Sequence, residues 1–454
     1  MTRKPRGRTD PLEGVIETAL DPERFISYNA SFDFVRDLEH VEEQIQRLIS
    51  TEPSRAVVLY ETFLAGCYQK AEEIDDSSGS LGQFVDDVFR GWIRARQAAG
   101  AEPDQTVVRL LEWMDDDPYG FASDLDKEAA KVLDKAGLAA FMKQVRARFA
   151  AAATAKPTPG ESFRRNPDYQ LRRWGAALRT LYLAQKDVEA YVGLAQETGL
   201  TAQDCHALAT MLGARRKPEQ ALAWVERGVE LDKEAPRASM ASHDLARLKR
   251  DLLTKLGRGN EALDAAWAEY RERPTKYSYD DLMKYVPKAE RTAWHEKAME
   301  AAQGAELHSL MELLLETKEL KRLAALVRQS KDDALEGVSH YATELAAKKL
   351  EKTHPGIAAR LWRAQGMRIV KAGKSKYYDA ALSNFERAKR CYEKAGLRAE
   401  WEKTVSQLRA EHYRKTGFMS GFEDLVAGSG PSDRPSFLRR AKTRWGGRHR
   451  RDGE

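Results

Sequence analysis

The sequence has few cysteines and no long hydrophobic run. Cys67, Cys205 and Cys391 are too few and too widely spaced for a disulfide framework or a four-cysteine zinc site. The longest stretch without Asp, Glu, Lys or Arg runs from Cys205 to Ala214, well short of the roughly 20 apolar residues that a membrane-spanning helix needs. The basic residues at the start precede no apolar segment, so no secretory signal is expected. These absences predict a cytoplasmic protein.

Catalytic and cofactor-binding motifs are also missing. No GxxxxGK[ST], GxGxxG or GxSxG element stands between a strand and a helix, and none of the nine histidines has the HExxH metal spacing. Cys205 and His206 are adjacent, but neighbouring positions on a helix point about 100° apart. Cys205 is therefore predicted to be a buried structural cysteine rather than a nucleophile. We expect neither an enzyme nor a cofactor.

Strand patterns are absent as well, whereas helical patterns are abundant. From about residue 31 to 422, apolar residues recur at spacings of three and four, without alternating β-branched runs bounded by turns. Ala221, Val225 and Val229, for example, form one apolar stripe. Glu226 belongs to the polar face of the same segment. The periodicity predicts an all-α fold.

A short helix-opening motif recurs along the chain. Residues 219–222 (EQAL) return as 260–263 (NEAL), and residues 381–382 (AL) open a third such helix, each after a short break. A small residue followed by leucine allows close approach to a partner helix. The segments 307–315 and 319–328 are joined by almost no loop, as an antiparallel pair requires. The sequence predicts an α-solenoid of antiparallel helical hairpins, tetratricopeptide-like but irregular in period.

Composition divides the chain into five parts. A basic N-terminal extension is followed by a helical block, a linker or loop, a helical-repeat block and a basic tail expected to be disordered. The linker is predicted because its residues combine small side chains with two prolines and a glycine. The boundaries are 1–19, 20–150, 151–160, 161–427 and 428–454.

The net charge of +5 is unevenly distributed. Residues 1–9 carry four basic groups, and residues 431–454 carry eight basic and three acidic groups. The remaining 63 basic and 67 acidic residues leave the body at −4. Arginines interleaved with aromatic rings suit phosphate backbones or an acidic partner, and a merely solvated tail is the alternative. The candidate contact residues are Arg434, Arg439, Arg440, Lys442, Arg444, Trp445, Arg448, Arg450 and Arg451.

Two acidic segments are candidates for a cation site. Asp75 and Asp76 precede a Ser-Ser-Gly turn, and Asp86 and Asp87 follow on the next predicted helix. Carboxylate and hydroxyl oxygens suit a hard divalent cation, although the spacing is not that of an EF-hand. The alternative is a helix start capped by a serine of the turn.

The second acidic segment is Asp115 to Asp117. It predicts a helix that begins at Pro118, with Asp117 as its N-cap, and a start near Ser123 is the alternative. If both acidic turns lie on one edge of the helical stack, their carboxylates form a negative patch that suits a cation or a basic peptide.

Two stretches carry a family resemblance. Residues 71–92 (AEEIDDSSGSLGQFVDDVFRGW) and 114–121 (MDDDPYGF) resemble an uncharacterised bacterial family of helical proteins that share an acidic-Ser-Ser-Gly turn and a later Tyr-Gly turn. The stretch 399–425, with HYRKTGFMSGFEDL, is similar to the helical regions of bacterial SWIM zinc-finger proteins. The CxC and CxH pairs of the finger itself are absent. The resemblance implies an all-helical, repeat-like bacterial protein without zinc and without an assigned reaction.

These features predict a non-enzymatic cytosolic scaffold whose helical-repeat groove binds a peptide or protein partner. One alternative is a nucleic-acid-associated protein that uses the basic tail. A second is a divalent-cation-dependent protein that uses the acidic turns. No membrane association is expected.

Overall fold

A computed structural model of the chain describes residues 10–21, 24–156, 166–235, 237 and 239–428. Throughout these residues the regular elements are helices, apart from one isolated backbone bridge between Ile26 and Ile74. Consecutive helices pair as hairpins, which confirms the predicted all-α fold of antiparallel helical hairpins. Packing divides the chain into two compact units, Met1–Leu252 and Leu253–Glu454.

The first unit holds one continuous hydrophobic core. Buried side chains of its helices, from Ile16 to Met211, form this core, and Trp92 and Phe141 are among the largest of them. Several of these helices begin with proline, which lacks the N–H that a first turn leaves unbonded. The helices are α1 (Pro11–Leu20), α2 (Tyr28–Leu48), α3 (Pro53–Lys70), α4 (Ser80–Ala98), α5 (Pro103–Asp115), α6 (Leu125–Val132), α7 (Lys135–Thr154), α8 (Pro167–Gln185), α9 (Val188–Thr198), α10 (Ala202–Ala214), α11 (Pro218–Glu234) and α12 (Ser242–Lys255), the last of which continues into the second unit.

The second unit has a core of its own. It extends from Leu263 to Phe422 and includes the fully buried rings of Trp362 and Phe385. The further helices are α13 (Gly259–Glu272), α14 (Lys276–Tyr285), α15 (Arg291–Ala301), α16 (Leu307–Glu316), α17 (Leu320–Gln329), α18 (Asp332–Gly337), α19 (His340–Leu350), α20 (Pro355–Ala372), α21 (Tyr378–Lys394), α22 (Arg398–His412) and α23 (Thr416–Ala427). Short 3-10 turns join some of them.

Six connections between consecutive helices in the described part of the chain share one hydrogen-bonding pattern. Between α8 and α9, Lys186 has φ 57° and its N–H donates to the carbonyl of Leu183, while the N–H of Asp187 donates to the carbonyl of Tyr182. This is a Schellman turn, in which a left-handed residue ends the helix. The left-handed residues of the six turns are Gly100, Lys186, Arg216, Gly257, Lys318 and Gly396. What recurs along the chain is therefore this corner rather than a fixed repeat length.

The recurring helix-opening motif lies where the sequence places it. Its alanines, Ala221 in α11, Ala262 in α13 and Ala381 in α21, are all completely buried. In the hairpin of α20 and α21, a Cβ on Gly366 would lie 2.7 Å from the ring of Phe385. Small residues thus bring the paired helices close together, as the motif predicts.

The segment predicted as a linker begins inside a helix. Helix α7 continues to Thr154, and residues 157–165 lie outside the described part of the chain. Helices α7 and α8 pack against each other, because the guanidinium of Arg148 lies 4.9 Å from the ring centroid of Trp174. Both helices share one core, and the division of the chain into two compact units falls between Leu252 and Leu253.

The start of the chain contains a packed helix. Helix α1 falls within the segment 1–19 that was expected to be a basic extension, and Ile16 and Leu20 on it are buried. The carboxylate of Asp10 caps α1 and pairs with Arg55 at 2.6 Å. These contacts attach α1 to α3, and residues 1–9 lie outside the described part.

Candidate functional site

The first acidic turn caps a helix. Two backbone hydrogen bonds position the turn, from Ile26 N–H to the Glu73 carbonyl at 2.9 Å and from Asp75 N–H to the Ile26 carbonyl at 2.8 Å. Gly79, with φ 73°, then leads into α4. The carboxylate of Asp76 accepts hydrogen bonds from the N–H groups of Leu81 at 2.9 Å and of the next residue at 3.1 Å. Asp76 thus caps two N–H groups of α4, and the hydroxyl of Ser78, a serine of the turn as the sequence predicted, accepts a hydrogen bond from the N–H of Ser80 at 3.3 Å.

Two other candidate carboxylates of this segment, Asp75 and Asp87, also have protein partners. Asp75 accepts a hydrogen bond from the side chain and one from the backbone of Ser77, and these bonds lower the pKa of Asp75. Asp87 forms an ion pair with Arg90, which also contacts Glu128. Among the residues that the structure describes, no group of three or more His, Cys, Asp or Glu side chains is arranged to hold a metal ion.

Asp86 has an unusual titration. The pKa of Asp86 is raised from 3.8 to about 6, chiefly by burial and also by the nearby carboxylate of Glu128, while the positive charge of Arg90 opposes both effects. Compared with the unfolded chain, the folded protein therefore favours the protonated form of this side chain.

Replacing Asp86 with asparagine should raise the thermal stability of the first unit at neutral pH. Because the pKa is higher in the folded state, the stability that Asp86 contributes is fully present below about pH 4 and is lost as the pH rises through about 6. Unfolding temperatures from pH 4 to 8 should show a gain for Asp86→Asn that grows with pH. Asp87→Asn is the matched control, since it removes a carboxylate that is paired with Arg90. A gain that is independent of pH would contradict this reasoning.

The second acidic turn lies beside the first. The hydroxyl of Tyr119 donates to the carboxylate of Glu72 at 2.9 Å, and the hydroxyl of Tyr68 donates to Asp117 at 3.0 Å. The rings of Tyr68 and Phe121 pack edge to face, with centroids 5.1 Å apart. The two acidic turns therefore share one edge of the first unit, as the negative-patch hypothesis requires.

The prediction of a helix that begins at Pro118 is wrong. Helix α6 begins at Leu125, because Gly120 has φ 83° and turns the chain out of a helical path. Asp117 still acts as a cap, but within the turn, where its carboxylate accepts a hydrogen bond from the N–H of Ala122 at 2.9 Å.

A cleft of about 500 Å³ lies within the second unit and was not predicted from the sequence. It is bordered by the connection between α17 and α18, the first turn of α20, the corner between α21 and α22, and one side of α22. Apolar parts of its wall come from Ile357, Tyr392 and Leu397. Its charged lining residues are Arg328, Asp332, Arg360, Arg363, Glu400 and Lys403.

One arginine of the cleft, Arg360, has a structural role. Arg360 donates to the carbonyls of Val327 at 2.6 Å and of Ser330 at 2.7 Å, and it also bonds to the carboxylate of Asp332 at 2.6 Å. These contacts satisfy carbonyls that the end of α17 leaves without helical partners. Arg360 thus fixes the wall of the cleft.

A second arginine of the cleft, Arg363, makes fewer hydrogen bonds. Arg363 is only 7% exposed, and its Nη2 donates to the side chain of Gln407 at 2.6 Å. Its Nη1 lies 3.0 Å from a carboxylate oxygen of Asp332 and 4.0 Å from one of Glu336, but among the described residues it has no hydrogen-bonded acceptor. Burial opposes ionisation of Asp332, yet the hydrogen bond from Arg360 and the charge of Arg363 outweigh it and lower the pKa of Asp332.

The lining of the cleft is positive overall. Four Arg and Lys side chains face two carboxylates. The first turn of α20, with Gly356, also lines the cleft, and the N-terminus of a helix carries a partial positive charge. A Cβ on Gly356 would lie 2.6 Å from Leu397, so glycine permits the corner before α22 to approach α20.

Two further expectations concern the ends of the chain and the membrane. The tail residues from Arg434 to Arg451, predicted to contact nucleic acid or an acidic partner, lie outside the described part of the chain. No helix in the described part combines the length and apolar character needed to cross a membrane.

A protein-family model matches most of the chain. Residues 18–420 match the model of a protein family described as "Family of unknown function (DUF6880)". No curated protein matches the chain. A solved structure titled "Structure of Naa15/Naa10 bound to HypK-THB" is similar at 12% sequence identity and a TM-score of 0.34, covering 93% of this chain and 68% of that chain. At that identity and TM-score, the similarity carries no argument about partner or assembly.

Proposed function

Because this chain belongs to the DUF6880 family, whose function is unknown, we infer its activity from its own residues and propose a non-enzymatic interaction scaffold that binds a peptide or protein partner. The observation that carries the proposal is the cleft of the second unit. Its volume of about 500 Å³ and its lining of apolar walls with a few placed charges are typical of binding sites. Helical hairpins supply such concave surfaces without catalytic residues.

The cysteines support the non-enzymatic part of this proposal. All three are buried. Burial raises the pKa of the Cys205 thiol to about 11 and that of Cys67 to about 12, so neither thiol is ionised at neutral pH. We also propose a cytosolic location, in keeping with three unpaired thiols.

The other readings of the sequence stay predictions. Nucleic-acid binding depends on the basic tail. Cation binding depends on the acidic turns, where several carboxylates, Asp76 and Asp117 among them, have protein partners in the structure. The similarity to the helical regions of SWIM zinc-finger proteins also stays a prediction.

Replacing Leu397 with alanine should weaken partner binding about fivefold to tenfold. Leu397 is 41% exposed on the wall of the cleft, and its side chain would be covered by a bound partner. The measurement is affinity capture of the full chain from host lysate, with and without nuclease, followed by quantitative mass spectrometry. Leu183→Ala is the matched control, because Leu183 is 38% exposed on α8 in the first unit.

A protein that the native chain and Leu183→Ala retain, and that Leu397→Ala loses irrespective of nuclease, would support the scaffold. A partner that Leu397→Ala retains, but that nuclease treatment or removal of residues 431–454 releases, would contradict it. That second result would assign binding to nucleic acid through the tail.

A further inference from the structure

We propose that the cleft recognises a carboxylate of an acidic peptide segment, with Arg363 as the residue that anchors it. This inference rests on the proposed scaffold function and specifies the chemistry of the partner. It follows from the position of Arg363, the first turn of α20 and the balance of charges around them.

Arg363 has the properties of an anchor for an anion. It lines the cleft, yet it is more than nine-tenths buried and makes a single hydrogen bond, to Gln407, among the described residues. Its buried Nη1 has no hydrogen-bonded acceptor in the described part of the chain, although carboxylates of Asp332 and Glu336 lie 3.0 and 4.0 Å from it. Leaving buried charged donors unsatisfied is costly. A ligand carboxylate would supply the acceptors, in the paired geometry that guanidinium groups favour.

The start of α20 adds a second attraction for an anion. Helix α20 is 18 residues long, and its first residues, Pro355, Gly356 and Ile357, line the same cleft as Arg363. The amide groups of a first turn and the helix dipole favour negative charge. Pro355 has no N–H, and the N–H of Ile357 donates to the carbonyl of His354 at 3.0 Å, so the attraction is chiefly that of the helix dipole.

The surrounding charges favour one carboxylate over a polyanion. Asp332 and Glu400 line the cleft together with the four cations, so the excess of positive charge is small. A chain of phosphates would place several negative charges beside these carboxylates, whereas a single acidic side chain would place only one there. The apolar side chains of Ile357 and Leu397 are suited to contact the residues that flank such an acidic side chain in a peptide.

The test is a selection from a library of short peptides with random sequence and capped ends, bound to the full-length protein. Selected peptides should be enriched in Asp or Glu. Exchanging that residue for Asn or Gln should weaken binding about tenfold or more, because a charge-assisted hydrogen bond is lost. Affinity should also fall as salt is added. Selection of peptides without acidic residues would overturn the inference.

Variants of the protein identify the anchor. Arg363→Met should weaken binding of the acidic peptide about tenfold, and circular dichroism shows whether this variant is folded. Lys403→Met, on the exposed rim of the cleft, should weaken binding only about twofold to fivefold. Lys349→Met is the control, because Lys349 is an exposed lysine of α19 outside the cleft. The inference would be overturned if Lys403→Met and Lys349→Met changed peptide affinity equally and a folded Arg363→Met variant bound the peptide as tightly as the native protein.

Competition separates the possible sources of negative charge. Acetate should displace the peptide weakly, as an isolated carboxylate. Inorganic phosphate that displaces the peptide far better than acetate would overturn the peptide assignment and point to a phosphate ligand. A failure of the proposed scaffold function would give a different result. Leu397→Ala would then leave partner capture unchanged, whether or not acidic peptides bind the protein.

Discussion

Replacing Trp362 with alanine is expected to lower the free energy of unfolding of the second unit by about 3–5 kcal/mol. Trp362 is completely buried in α20, its indole N–H donates to the carboxylate of Glu351 at 2.8 Å, and Arg387 lies over its ring at 4.6 Å. The substitution would leave a large cavity, remove the only hydrogen bond described for that carboxylate oxygen, and remove the cation–π contact.

Denaturant unfolding followed by circular dichroism measures this loss. Trp362→Phe is the matched variant, because it keeps most of the ring volume and loses mainly the hydrogen bond to Glu351. We expect it to cost about a third of the alanine effect, near the value of one hydrogen bond. Equal losses for both variants would show that the hydrogen bond, and not the filled volume, dominates at this position.

Replacing Gly91 with alanine should destabilise the first unit by about 1–3 kcal/mol. A Cβ at position 91 would lie 2.3 Å from the ring of Tyr60, and both residues are buried between α3 and α4. The ring has no simple retreat, because its hydroxyl donates to Glu42 at 2.7 Å. Elsewhere in a helix the same substitution is stabilising by about 0.5–1 kcal/mol, so the expected sign is reversed here.

Gly193→Ala supplies the control for that reversal. Gly193 lies in the middle of α9, is exposed, and has no neighbouring atom within 4 Å of a new Cβ. Thermal unfolding should show a gain for Gly193→Ala and a loss for Gly91→Ala. Combining Gly91→Ala with Tyr60→Leu should cost less than the sum of the single changes, because the clash disappears with the ring. Strict additivity would rule out the proposed clash.

The helical architecture is predictable from the sequence because its signals are local. Apolar spacing of three and four follows directly from 3.6 residues per helical turn. The small residues at Ala221, Ala262 and Ala381 predict close helix pairs, and the structure buries all three. Even the proximity of the two acidic turns could be formulated as a hypothesis. The role of Asp76 as a cap of α4 could not be predicted, because it bonds to N–H groups five and six residues ahead of it.

The cleft could not be predicted because its residues are far apart in the sequence. Its basic lining residues lie on three different helices, as Arg328, Arg363 and Lys403 show. The spacing of these residues in the sequence does not predict a common site. Arg360 and Arg363 also follow the ordinary pattern of charged residues on a helix. Only the tertiary packing distinguishes Arg360, which bonds to carbonyls at the end of α17, from Arg363, whose Nη1 has no hydrogen-bonded acceptor among the described residues. Tertiary structure thus determines which charges acquire a role.

The Schellman corners also bear on how the chain folds during synthesis. At Lys186 and Asp187, for example, the two defining hydrogen bonds reach back no further than Tyr182. Closing so short a loop costs little entropy, and contacts of this kind favour rapid folding. A corner can therefore form as soon as its few residues have left the ribosome. Each hairpin that such a corner joins then has its bend in place before the following helix has emerged.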